Sequence, residues 1–129
     1  MIALMKKVRI AILDSGVCKD HSAFKNKTIC GFSLCVENGK VNYYDDFSDD
    51  IGHGTAVASV AAGSRLEEGS LFTGAAPDCE IVAVKLRPAK QYLRDYYRIA
   101  DKEPAYSTDD ILLAVKYVQQ FVIPLYRPI

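Results

Sequence analysis

Val8-Arg9-Ile10-Ala11-Ile12-Leu13-Asp14-Ser15-Gly16 is the stretch on which the fold turns. It is a nearly unbroken apolar run, rich in β-branched side chains, that ends at Asp14-Ser15-Gly16. A strand apolar on both faces is covered on both faces, as in parallel sheets flanked by helices. The run therefore predicts a buried parallel strand that stops at a polar turn. Residues 18–27 are polar and suit a short helix or turn, and residues 28–36 are apolar enough for a second strand. Glu37-Asn38-Gly39-Lys40 is a turn signal, and residues 41–50, which mix aromatics with aspartates, read as an exposed loop. Residues 56–63 are small and apolar on every side, which predicts a buried helix closed by Gly63. Residues 64–70 read as polar loop, and residues 80–86 hold a further buried strand around Ile81-Val82-Ala83-Val84. Thr108-Asp109-Asp110 opens a helix in which Ile111, Leu112, Val115, Val118 and Val122 recur at helical spacing. Arg127-Pro128-Ile129 reads as the start of another strand. Strand, loop, helix, strand, helix, strand is the alternation of an α/β fold with a parallel sheet.

Two positions in this frame carry chemistry. Asp14 stands at the C-terminal end of a buried parallel strand, where open α/β sheets place their sites. By itself such an acid equally suits a metal, a ribose or a loop backbone. His53 lies between Gly52 and Gly54, just before the small-residue helix, where glycines let another backbone or a substrate approach closely. The helix N-terminus disfavours a protonated ring and keeps the imidazole able to act as a base. A buried carboxylate pulls the other way, orienting the ring and stabilising the imidazolium once it forms. A lone histidine here also suits a helix cap or a packing role.

The bulk properties exclude several classes. The 129 residues suffice for one modest domain, and 16 Lys and Arg balance 16 Asp and Glu. Nucleic-acid and membrane-surface proteins usually carry a cationic excess, so neither partner is expected. No apolar run has the length of a membrane span. The first seven residues put apolar side chains ahead of lysines, the reverse of a secretory signal, which points to a cytoplasmic protein. Cys18, Cys30, Cys35 and Cys79 form no Cys-x-x-Cys pair and have no metal-ligand spacing with His21 or His53, so reduced thiols are expected.

Three segments occur in order: Ile10 to Val17 with Asp14-Ser15-Gly16, then Gly52-His53-Gly54-Thr55-Ala56-Val57-Ala58, then Gly74-Ala75-Ala76-Pro77 ahead of Ile81 to Lys85. Together they resemble the subtilase family of serine proteases (peptidase S8), whose triad runs in the order Asp, His, Ser. The resemblance implies a subtilisin-like parallel-sheet α/β fold represented by a truncated N-terminal half. Residues 1–129 would form part of one catalytic domain, with an insertion-like segment at about 86–107 similar to one in some clostridial subtilases. That segment, with Lys90, Tyr92, Arg94, Tyr96, Tyr97 and Arg98, suits a packed hairpin or a short amphipathic helix better than a nucleic-acid stacking surface.

By the same resemblance, Asp14 would orient the imidazole, His53 would serve as general base and then general acid, and the substrate would be a peptide or protein. Asp49 or Asp50 would line the cleft or stand as solvated loop acids. The family also needs a Gly-Thr-Ser box and an oxyanion asparagine, neither of which is found within these 129 residues. Ser15 belongs to the aspartate motif and Ser59 to the helix. The chain alone is therefore expected to be inactive and to need a C-terminal half in cis or in trans. No cofactor is identifiable, although subtilases often carry structural calcium. The absence of room for an inhibitory prodomain ahead of Val8 resembles intracellular subtilases. The other reading is a non-catalytic, subtilase-derived pseudoprotease that acts as a binding or regulatory module. A nucleotide-binding α/β protein would need a glycine-rich loop after the first strand, which Asp14-Ser15-Gly16-Val17 does not supply.

Overall fold

The apolar run forms strand β1, Arg9–Asp14, in a computed structural model that describes residues 8–65 and 72–122. Strand β2 spans Ile29–Glu37, β3 spans Lys40–Tyr44 and β4 spans Glu80–Leu86. They make one sheet in the order β1-β4-β2-β3. β4 runs parallel to β1, with Asp14 beside Lys85, and parallel to β2, with Leu34 beside Leu86. Ile81, Val82, Ala83, Val84 and Leu86 of β4 are all buried, as a strand paired on both edges and covered on both faces requires.

The period of two along β4 divides the core. Ile81 and Ala83 face one cluster with Ile12, Val17, Phe24, Ala58 and Ala62. Val82, Val84 and Leu86 face a second cluster with Leu34, Ala114 and Val118. Each large apolar side chain buried in this way contributes roughly 1.5–3 kcal/mol. Helix α1, His53–Ala62, packs on the first face, and helix α3, Thr108–Tyr117, on the second. Ala58 and Ala62 are fully buried, and their small side chains let α1 lie close to the sheet. Ser107 caps α3, its hydroxyl accepting from the Asp110 amide at 3.2 Å, and Asp109 and Asp110 complement the helix dipole.

Several expectations are corrected. Residues 41–50 are not wholly loop, because Lys40–Tyr44 pair antiparallel with β2. Asn38 and Gly39, with φ of 51° and 73°, turn the chain as a two-residue hairpin, which makes β3 an antiparallel edge on a mainly parallel sheet. Helix α1 is buried on one side only, and Val60 is 63% exposed. Ala114 of α3 and Val118, which begins the π-helical turn after it, meet the sheet, whereas Ile111, Leu112 and Val115 are exposed. A single sheet face covers a single stripe of a helix, and apolar residues elsewhere on the helix surface stay outside it. The expected strand start at Arg127-Pro128-Ile129, the first seven residues and most of the stretch expected as polar loop at 64–70 lie outside the described residues.

The tyrosine-rich stretch contains a short helix, α2, Gln91–Tyr96. The Ala89 amide donates to the Ala105 carbonyl at 2.8 Å and closes the excursion at its base. Inside it, the buried Arg94 guanidinium donates through Nη2 to the carbonyls of Ala100 at 2.7 Å and Glu103 at 2.8 Å. An arginine that looks solvent-facing in the sequence thus organises its own loop.

Candidate active site

β1 delivers Asp14 to the C-terminal edge of the sheet, and α1 begins with His53. The two meet there: His53 Nδ1 lies 2.9 Å from Asp14 Oδ1 and 3.0 Å from Oδ2. The Ser15 amide donates to Oδ1 at 2.7 Å. Asp14 is buried, at 8% exposure, while the His53 side chain is 48% exposed. A carboxylate accepts only, so the proton between the two groups belongs on Nδ1. The neutral ring then presents a lone pair at Nε2. Among the described residues no group hydrogen-bonds Nε2.

Close backbone approach sets this meeting. A Cβ on Gly54 would sit 2.1 Å from the Gly16 carbonyl oxygen, and one on Gly16 would sit 2.5 Å from the carbonyl oxygens of Phe47 and Ser48. Only glycine lets the first turn of α1, the β1 turn and the 47–48 backbone stack at these distances.

A second carboxylate ties the three together. Asp49 Oδ1 accepts from the Ser15 hydroxyl at 2.8 Å, the Ile51 amide at 3.0 Å and the Gly52 amide at 2.8 Å. Its Oδ2 accepts from the Thr55 amide at 2.9 Å and the Thr55 hydroxyl at 2.6 Å. The Ser15 hydroxyl accepts from the Gly54 amide at 2.9 Å, and the Thr55 hydroxyl accepts from the Cys18 amide at 2.9 Å. The Gly52, Gly54 and Thr55 amides at the start of α1 are thereby satisfied by Asp49 and Ser15. Asp49 is not a solvated loop acid, because five donors converge on it, and it borders the surface cavity that Gly52, Thr55 and Ser59 also line. Asp50 is the solvated one, its side chain 84% exposed and 3.3 Å from Lys85 Nζ. Lys85 Nζ also donates to the Ser48 carbonyl and holds the loop ahead of His53 against β4.

Burial pushes the Asp49 carboxyl up, but hydrogen bonds from Thr55, Gly52 and Ser15 outweigh it and hold it at about 2. The folded carboxyl therefore titrates below its unfolded value of 3.8, and the folded state binds fewer protons in that interval. The stability it contributes is full above about pH 4 and is lost as the pH falls towards 2. With solvent screening discounted, this contribution is about 1 kcal/mol. Urea midpoints of the wild type and Asp49→Ala should converge as the pH is lowered from 5 to 2.5. A gap independent of pH would show that the charge is not what holds the network.

Tyr106 also reaches the site, and nothing in its local sequence signals this. Its hydroxyl lies 3.4 Å from Asp14 Oδ1. Burial, and next the Asp14 charge, push the phenol up to about 12.

The family model described as the Subtilase family matches residues 5–111, most of the chain. The chain belongs to the subtilase family. Its mainly parallel sheet with flanking helices is the α/β fold of that family, and two of the three motifs that carried the resemblance supply the two residues that meet here. The chain is 33% identical over 81 residues to the "Major intracellular serine protease" of Bacillus subtilis (strain 168), covering 63% of this chain and 24% of that protein. It is 31% identical over 80 residues to the "Intracellular serine protease" of Paenibacillus polymyxa, covering 61% of this chain and 23% of that protein. The subtilase chain thus spans about a quarter of the length of the curated relatives it matches.

Ser15 and Ser59 are engaged elsewhere, Ser15 with Asp49 and Gly54, and Ser59 with the Ala56 carbonyl at 2.7 Å. Among the described residues, no group of three or more His, Cys, Asp or Glu side chains is placed to hold a metal ion. Among the same residues, no helix is long and apolar enough to cross a membrane, and no disulfide joins Cys18, Cys30, Cys35 or Cys79.

Proposed function

We propose that Asp14 and His53 are two members of an Asp-His-Ser triad and that this chain is the N-terminal part of a serine endopeptidase. The observation that carries the reading is the pairing of His53 Nδ1 with both carboxylate oxygens of a buried aspartate, which leaves Nε2 unpaired. With its tautomer fixed this way, Nε2 takes the proton of a serine hydroxyl as that oxygen attacks a peptide carbonyl. The imidazolium then returns the proton to the leaving amine, and the same steps in reverse order admit water to the acyl-enzyme. Asp14 holds the ring in place and stabilises its positive charge.

The substrate is a peptide or protein, and the names of the relatives favour an intracellular setting. Residues 1–129 would be part of one catalytic domain, in which the segment at about 86–107 is an insertion beside the site. The nucleophile and the oxyanion donor would come from further chain in cis or from a partner in trans. Loss of the serine alone costs about a million-fold in kcat in such a machinery. The 129-residue polypeptide by itself is therefore predicted to be inert.

The test compares casein hydrolysis by the native full-length polypeptide and by the isolated 129-residue chain. The expected result is hydrolysis by the first, abolished by His53→Ala, and none by the second. A native polypeptide of 129 residues that hydrolyses nothing with any partner from its source cells would favour a non-catalytic binding module instead.

A further inference from the structure

We propose that Tyr106 is a positioning residue of the Asp14–His53 dyad, its hydroxyl giving the carboxylate a third hydrogen bond at the oxygen that already faces the imidazole. Three donors converge on Asp14 Oδ1: the Ser15 amide at 2.7 Å, His53 Nδ1 at 2.9 Å and the Tyr106 hydroxyl at 3.4 Å. The third is long for an O–H donor, and contacts of this kind commonly tighten when substrate binds.

The position of Tyr106 is determined from several sides. Its ring packs against the cluster of Leu34, Val82, Val84, Leu86, Ala114 and Val118. Its backbone follows Ala105, which closes the 89–105 excursion, and precedes Ser107, which caps α3. The excursion and α3 are thereby mechanically joined to the dyad through one phenol. The hydroxyl meets Asp14 directly, with the Ser15 hydroxyl and the Asp49 charge close by. Lys85, on the neighbouring strand, is taken up by Ser48 and Asp50. With its titration raised to about 12, the phenol remains a donor at any pH at which the imidazole titrates.

A donor on the carboxylate disperses charge that would otherwise stabilise the imidazolium. Removing that donor should make His53 easier to protonate, and strengthening it should make His53 harder to protonate. A tyrosine that merely fills the core would do neither when replaced by an isosteric ring. The inference rests on the dyad described above, but its readout is the ring itself and not turnover, so it stands or falls separately from the peptidase reading.

The experiment is an NMR titration of the His53 ring in the native full-length polypeptide. It compares the wild type, Tyr106→Phe and protein carrying 3-fluorotyrosine at position 106. Fluorination acidifies the phenol and strengthens the donor with almost no change of shape. The expected result is a His53 midpoint about half a unit higher in Tyr106→Phe and displaced downward in the fluorinated protein. Identical midpoints in wild type and fluorinated protein would overturn the inference, and the fluorinated protein answers the question even if Tyr106→Phe fails to fold. His21, whose Nδ1 accepts from the Ala23 amide at 3.0 Å, is the internal reference and should not move.

Discussion

Replacing Asp14 with asparagine in the full-length polypeptide is expected to lower kcat about ten-thousand-fold with little change in KM. The substitution is nearly isosteric, so β1 and its turn should survive. What changes is charge and tautomer. Both carboxylate oxygens lie within 3.0 Å of His53 Nδ1, so an amide must bring its NH2 close to that nitrogen. The Ser15 amide at Oδ1 demands an acceptor there, which pushes the NH2 to the Oδ2 position. An amide hydrogen beside Nδ1 favours the tautomer with the lone pair on Nδ1 and the proton on Nε2. That ring accepts no proton from a nucleophile, and no negative charge is left to stabilise an imidazolium. Steady-state kinetics on a peptide substrate, with circular dichroism to confirm the fold, check this. A loss below tenfold in a folded protein would mean that Asp14 does not act through His53.

Asp49→Asn is expected to cost about 2–3 kcal/mol of stability and to lower activity as well, although Asp49 does not touch the ring. All five of its partners are donors: three backbone amides and the hydroxyls of Ser15 and Thr55. The backbone amides cannot reverse. The Thr55 and Ser15 hydroxyls, which already accept from the Cys18 and Gly54 amides, have a second lone pair for an NH2, but turning to use it would strip their own protons of the acceptor. An asparagine satisfies one side of this set and turns its NH2 against the donors of the other. The consequence reaches His53 because the same amides begin its helix. Asp50→Asn, one residue away and largely in solvent, should change stability by less than about 0.5 kcal/mol. Urea unfolding of the two variants side by side is the measurement. Equal effects would mean that the network around Asp49 is ornamental.

The sheet and the dyad were legible in the sequence, and the support around the dyad was not. The apolar runs that became β1 and β4 carry their own signal, since only burial on both faces needs such composition. Asp14 and His53 are legible because their motifs occur together and in order with Gly74-Ala75-Ala76-Pro77, whereas either residue alone suits other roles. β3 was missed although Asn38-Gly39 is a strong hairpin signal, because the aspartates after Tyr44 coloured the whole stretch as loop.

Asp49 had a readable cue in its place just ahead of a helix start, where acids accept from free amides. Its five partners come from both sides of the chain, however, and spacing alone does not reveal convergence. Tyr106 had no cue at all. It is 92 residues from Asp14, and only the packing of α3 on the sheet brings its hydroxyl there. The exposed faces of α1 and α3 show the same limit, because periodicity predicts an apolar stripe but not which part of it this sheet covers.

The central claim is that Asp14 and His53 activate a serine nucleophile, and labelling with a fluorophosphonate probe tests it most directly. The probe reacts with a serine only when a neighbouring base activates it, and intact-mass spectrometry reads the adduct. The account predicts one adduct on the native full-length polypeptide, mapped to a serine other than Ser15 or Ser59, and its loss in His53→Ala. No adduct on the folded native protein, or an adduct indifferent to His53→Ala, would contradict it.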